Sequence, residues 1–74
     1  MTGAEFIRLV RWLGRRRGIE VRFVAQRGKG SHGTLYYGSG KTIVKDRKKE
    51  LGSGLLADML ANLGLDLDEL RRGR

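Results

Sequence analysis

From Ile19 to Gln26 the chain reads IEVRFVAQ, and the apolar and polar residues alternate along it. Ile19, Val21, Phe23 and Ala25 fall on one face. Glu20, Arg22 and Gln26 fall on the other, where Val24 is the apolar exception. A period of two is the mark of a strand buried on one side only, and it sets the fold class more firmly than any other feature here. Two further strand-length segments follow. HGTLYY, residues 32–37, puts Leu35 and Tyr37 on one face and His32, Thr34 and Tyr36 on the other. KTIVKD, residues 41–46, returns after a GSG turn. RGKGS, residues 27–31, separates the first two segments as a turn or bulge.

Helical periodicity brackets these strands. Between Gly3 and about Arg16, Phe6, Leu9, Val10 and Leu13 share a face with Ile7 at its margin, and Arg8, Arg11 and Arg15 lie opposite. Thr2 is the expected N-cap, and Glu5 three residues on completes a capping box. Trp12 sits at the edge of the apolar face, and Gly14 and Gly18 bracket the end of the helix. A second helix is expected from a Ser53 cap to a Gly64 stop. Its apolar face is Leu55, Leu56, Met59, Leu60 and Leu63, with Ala57, Asp58 and Ala61 opposite. Residues 66–74 are expected as a short tail, helical or flexible. The order is α-β-β-β-α: an α+β fold with a three-stranded antiparallel sheet and both helices on one side of it. The opposite side, carrying Arg22, His32, Thr34 and Tyr36, is left to solvent.

Length and composition fit a single domain over residues 1–74. With 74 residues and no cysteine, the chain can build one modest core without disulfides, and it carries no cluster with metal-ligand spacing. No metal or cofactor is expected. The absence of cysteine fits a reducing compartment and hence a cytoplasmic location. No apolar run is long enough for a membrane span or a signal-peptide core, so no membrane partner is expected. The net charge of +8 is unevenly spread. Residues 1–49 hold 13 Lys and Arg against three carboxylates, whereas residues 50–74 hold five carboxylates against three arginines. A basic body of this kind points to a polyanion on one surface.

Two motifs need weighing. GSGKT, residues 38–42, is too short for a phosphate-binding loop: the full pattern needs a glycine where Leu35 stands and a helix where IVKD follows. A hairpin turn fits instead. The cations Arg47, Lys48 and Lys49 leave the third strand towards the turn that carries Arg27 and Lys29, and converging cations make a groove for phosphates. Lys41 adds to this set, and Tyr36 on the open face can stack on a base or pack at the sheet edge.

His32 is the only histidine. RNA cleavage without metal needs a base for the 2′-hydroxyl proton and an acid for the leaving 5′-oxygen. An imidazole suits either role, and cations beside it stabilise the extra charge on the phosphorane-like transition state. The second proton-transfer group would be Lys29, Tyr36 or water. On residues alone, an ordinary strand-edge histidine stays as open as a catalyst.

The short N-terminal helix, GSH (30–32) opening the middle strand, and KELGSGLLADMLANLGLDLDEL (49–70) together resemble the HicA-type mRNA interferase toxins. The resemblance covers nearly the whole chain and is best over residues 28–36 and 49–70. This chain departs from the family in Gly33 after the histidine, in KDRKKE after the third strand, and in a slightly longer approach to His32. The resemblance implies a double-stranded-RNA-binding-domain-like fold and ribosome-independent cleavage of mRNA, as the toxin of a type II toxin-antitoxin system. It also implies neutralisation by a HicB-type antitoxin. The family's catalytic histidine falls on His32; Gly30 would supply a backbone bend, and Ser31 would orient the imidazole or bind phosphate. Arg27, Lys29, Lys41, Arg47, Lys48 and Lys49 would hold the RNA. The alternatives are a non-catalytic RNA-binding module with the same surface, and a protein whose main task is to bind the antitoxin and, through it, regulate DNA.

Overall fold

A computed structural model describes residues 1–28 and 32–72. The elements are α1 (Gly3–Arg17), β1 (Val21–Ala25), β2 (Gly33–Tyr37), β3 (Gly40–Val44), α2 (Ser53–Asn62) and α3 (Leu67–Arg72). The strands form one antiparallel sheet in the order β1-β2-β3, as expected from their short connections.

Each boundary has a local cause. Thr2 Oγ1 accepts from the Glu5 amide at 3.2 Å, and Glu5 Oε1 accepts from the Thr2 amide at 3.0 Å, so the expected capping box starts α1. The helix ends at Gly18, whose φ of +68° is the left-handed conformation that glycine adopts without strain. Gly14 is no stop. It lies inside α1, where an added Cβ would sit 2.3 Å from Val21 Cγ2 and 2.8 Å from the Ile19 carbonyl, so its bare backbone lets the returning chain approach the helix. GSG forms the hairpin: Gly38 and Ser39 connect β2 to β3, and only Gly38 has positive φ, the type II′ pattern.

The second helix differs in detail from expectation. Its N-cap is Gly52 and no side chain caps it; Ser53 is the first helical residue. Met59, Leu60 and Leu63 are buried and Leu56 is half-buried, but Leu55 is 49% exposed. The apolar stripe is therefore narrower than the five apolar residues Leu55, Leu56, Met59, Leu60 and Leu63 suggest. Gly64 stops the helix as expected: its amide reaches the Ala61 carbonyl at 3.0 Å, and the Leu65 amide reaches Leu60 at 2.9 Å.

The segment expected as a helix or flexible tail is helical over Leu67–Arg72. Asp66 and Glu69 form a second reciprocal cap, with the Glu69 amide donating to Asp66 Oδ1 at 2.8 Å and the Asp66 amide to Glu69 Oε1 at 3.2 Å. Leu70 has no exposed surface. Glu69 also pairs with Arg17 at 2.7 Å, tying α3 to the end of α1.

One core lies between the sheet and the helices. Phe6, Val10 and Leu13 of α1 meet Leu35, Tyr37 and Val44 of the sheet, with Met59, Leu60, Leu63, Leu65 and Leu70 closing the far side. Thr42 is the buried polar residue among them, and its hydroxyl accepts from Asn62 Nδ2 at 3.2 Å. Trp12 is half-buried, with the Arg16 guanidinium 5.0 Å from the centre of its ring. Among the described residues no helix is long and apolar enough to cross a membrane.

Candidate nucleic-acid interface

With α1 lying on β1 and β2, and α2 on β3, the other sheet face has no covering layer among the described residues. Strand register arranges that face in rows. Arg22, Tyr36 and Lys41 stand side by side across β1, β2 and β3, and Val24, Thr34 and Ile43 form the next row. In the first row the Arg22 guanidinium lies 5.3 Å from the centre of the Tyr36 ring. In the second, Val24 is 49% and Ile43 60% exposed, an apolar strip in water on an otherwise cationic face. Thr34, Tyr36, Lys41, Thr42, Ile43 and Asn62 line a shallow groove of about 320 Å³ along the β3 side.

His32 stands one residue before β2. The Gln26 amide donates to the His32 carbonyl at 2.7 Å, which carries the β1–β2 ladder one pair further, to the histidine itself. Alternation along the strand puts His32 on the face of Thr34 and Tyr36, and it is half-buried. Carried one position beyond Gly33↔Val44, the β2–β3 register sets Lys45 opposite His32. Lys45 is exposed, and the sequence reading did not single it out. Its signal was available: it is the cation that the alternation of β3 puts on the open face two residues after Ile43. Arg22 is found by the same rule.

The expected site residues therefore separate into four sets. His32, Tyr36 and Lys41 share the open face, although His32 and Tyr36 stand about 13 Å apart along β2 at the usual rise per residue. Arg27 is exposed in the turn after β1, at the same end of the sheet as His32. Lys29, Gly30 and Ser31 lie outside the described residues. Arg47, Lys48 and Lys49 follow β3 at that end too, but the path of the backbone parts them from the open face. The Arg47 carbonyl accepts from the Ala4 amide at 2.9 Å and the Lys49 carbonyl from the Gly3 amide at 3.3 Å, which draws the segment against the start of α1. The Arg47 guanidinium lies 5.2 Å from the centre of the Phe23 ring, on the helix side of the sheet. Lys48 and Lys49 are exposed.

Electrostatically the surface is dominated by these cations. Glu20 approaches Arg22 at 3.9 Å, with both side chains largely in solvent. Glu5 is kept below its ordinary pKa of 4.5, chiefly by the Thr2 backbone amide and then the Thr2 hydroxyl, with smaller help from the N-terminal amine and Arg8. Among the described residues no group of three or more His, Cys, Asp or Glu is placed to hold a metal ion.

Chemically, the open face offers guanidinium and ammonium groups for phosphates, one phenol ring for a base, and one imidazole at the end of the same strand. Compared with family models, with curated proteins and with solved structures, the chain finds no match in any of the three.

Proposed function

We propose that this protein is a metal-independent endoribonuclease of the HicA type, the toxin of a toxin-antitoxin pair, with His32 as its general acid or base. The observation that supports this best is the position of His32. It stands half-buried on a held backbone at the rim of an uncovered sheet face, opposite Lys45 and in line with Tyr36, Arg22 and Lys41. Half-burial restricts the imidazole without removing it from substrate, which is the requirement for proton transfer to a bound polymer.

The reaction is an internal transesterification. A base takes the proton of a ribose 2′-hydroxyl, the oxygen attacks the adjacent phosphorus, and the bond to the 5′-oxygen breaks as an acid protonates it. The products are a 2′,3′-cyclic phosphate and a free 5′-hydroxyl. His32 carries one of the two transfers and Lys29 or water the other; Tyr36, about 13 Å away along β2, is out of reach of the same phosphate. Lys45 and Arg27 supply positive charge where the phosphorane forms. Arg22 and Lys41 hold flanking phosphates while a base stacks on Tyr36, and the cations Lys48 and Lys49 extend the field around that end of the sheet. The substrate class is single-stranded mRNA, which places the protein in the cytoplasm. A HicB-type antitoxin encoded alongside would neutralise it by laying an acidic surface over His32, with the Val24–Ile43 strip as an apolar centre for that contact.

The test is incubation with single-stranded RNA in excess EDTA beside His32→Ala, with the 3′ ends of the fragments identified. Cutting by the native chain alone, leaving cyclic phosphate ends, is expected. Intact RNA, or equal cutting by the variant, would remove the histidine mechanism and leave a non-catalytic RNA-binding module.

A further inference from the structure

The helix side of the β1 edge carries a second cationic feature. Ala4, Ile7, Arg8, Arg11, Phe23 and Arg47 line a groove of about 320 Å³ between α1 and the edge strand. Arg8 and Arg11 are three apart on the exposed face of α1, and Arg47 reaches the same groove from the segment after β3. All three cations are arginines, whose planar forks match phosphate oxygens better than lysine does. The floor is apolar: Ile7 is buried, and the Phe23 ring lies under the Arg47 guanidinium.

Among the described residues no carboxylate lines this groove. The nearest two in sequence are engaged by backbone amides, Glu5 by Thr2 at 3.0 Å and Asp46 by Lys48 at 2.9 Å. Among the described residues, neither Arg8 nor Arg11 forms an ion pair. Arginines arranged only for solubility have no reason to gather around a recess with an aromatic floor.

We infer that this groove holds the continuation of the RNA strand bound on the open face, with Arg8 and Arg11 on successive phosphates and a base lying on the Arg47–Phe23 stack. The reading rests on the proposed RNA substrate and adds its path. Among the described residues β1 has a sheet neighbour on one side only, so a polymer can pass over its other edge from one face to the other. Phe23 and Gln26, the partner of His32, are three residues apart on that edge, about 10 Å at the usual strand rise. A single strand can bend over such an edge, whereas a rigid duplex cannot follow it. Stacking of a base on a guanidinium plane is a common mode of single-strand recognition.

The experiment uses full-length protein carrying His32→Ala, so that RNA stays intact, and fluorescence anisotropy with labelled single-stranded RNAs of about 4 and about 12 nucleotides, lengths that span the usual range of single-strand sites. Arg8→Gln with Arg11→Gln is compared with Arg71→Gln with Arg72→Gln, which removes the same charge from α3. On the longer RNA, the groove pair is expected to lower the slope of log affinity against log salt by about 1.4, two contacts of about 0.7 each, and the α3 pair by much less. Equal changes from the two pairs would reduce the groove to general charge and overturn the inference. So would tighter binding of poly-glutamate than of RNA, which would assign the groove to an acidic protein. If the slope changes as expected while the native chain cuts no RNA in EDTA, the groove stands and the catalytic reading falls. If neither RNA binds, both fall together.

Discussion

The ring of Phe23 fills the space that a side chain on residue 33 would occupy. A Cβ on Gly33 would lie 2.4 Å from Phe23 Cζ and 2.7 Å from the Val24 carbonyl oxygen. The bare backbone of Gly33 thus lets β1 and β2 close at the residue next to His32, and the Arg47 guanidinium lies over the same ring, 5.2 Å from its centre.

Gly33→Ala is therefore expected to destabilise the fold by about 1–3 kcal/mol, the usual cost of overpacking, measured by chemical denaturation. Phe23→Leu in the same chain should recover part of that loss, because it removes the ring carbon and leaves the carbonyl in place. A double-mutant cycle that shows no coupling would mean that the two residues do not meet as described.

Leu70→Ala should cost about 2–5 kcal/mol, since it empties a site with no exposed surface. A change below about 0.5 kcal/mol, the range of exposed positions, would return residues 66–72 to the status of a tail.

Acid unfolding should report the first capping box. Glu5 has a folded-state pKa below its ordinary 4.5, held there mainly by the Thr2 amide, so the native chain binds this proton less readily than the unfolded one. The contribution is present in full above the unfolded value and is lost as pH falls through the folded one. Thermal melts of the native chain and Glu5→Gln should differ by a constant amount at neutral pH and converge below about pH 4.5. A difference that persists unchanged in acid would show that the glutamate acts through packing. At the other end of the same box, Thr2→Ala should cost about 1 kcal/mol.

Tyr36→Ala is expected to weaken single-stranded RNA binding by about 1–3 kcal/mol, and Tyr36→Phe by far less, if the ring serves as a stacking surface. Anisotropy with a non-cleavable RNA measures both. Equal loss in the two variants would move the contribution from the ring to the phenol hydroxyl.

Much of this fold could be read from local pattern, because the deciding forces are local. Alternation placed Val24 on the open face against its hydrophobicity, and the Thr2–Glu5 spacing fixed the first cap. Gly64 marked the end of α2. What escaped the sequence depends on residues far apart in it. The role of Gly14 was hidden because nothing nearby reveals that Val21 will come to rest against it. Leu67–Arg72 is too short for a period to show, although Asp66 and Glu69 carry the spacing of a cap. The site divides along the same line. The strand parity of His32, Tyr36 and Lys41 was legible, whereas Arg47 leaves the open face because backbone bonds from Gly3 and Ala4 pull its segment under α1.

The docking of α3 also orders events in time. Arg17 meets Glu69 across 52 positions of sequence, and Leu70 completes a core whose other walls are all made from earlier residues. During synthesis, the strands and His32 leave the ribosome well before the helix that seals the core behind them. Contacts of such long sequence separation form late. A nascent chain of this protein, still tethered to its own message, holds an unfinished sheet. The proposed nuclease would acquire its working surface only once α3 has docked behind the sheet.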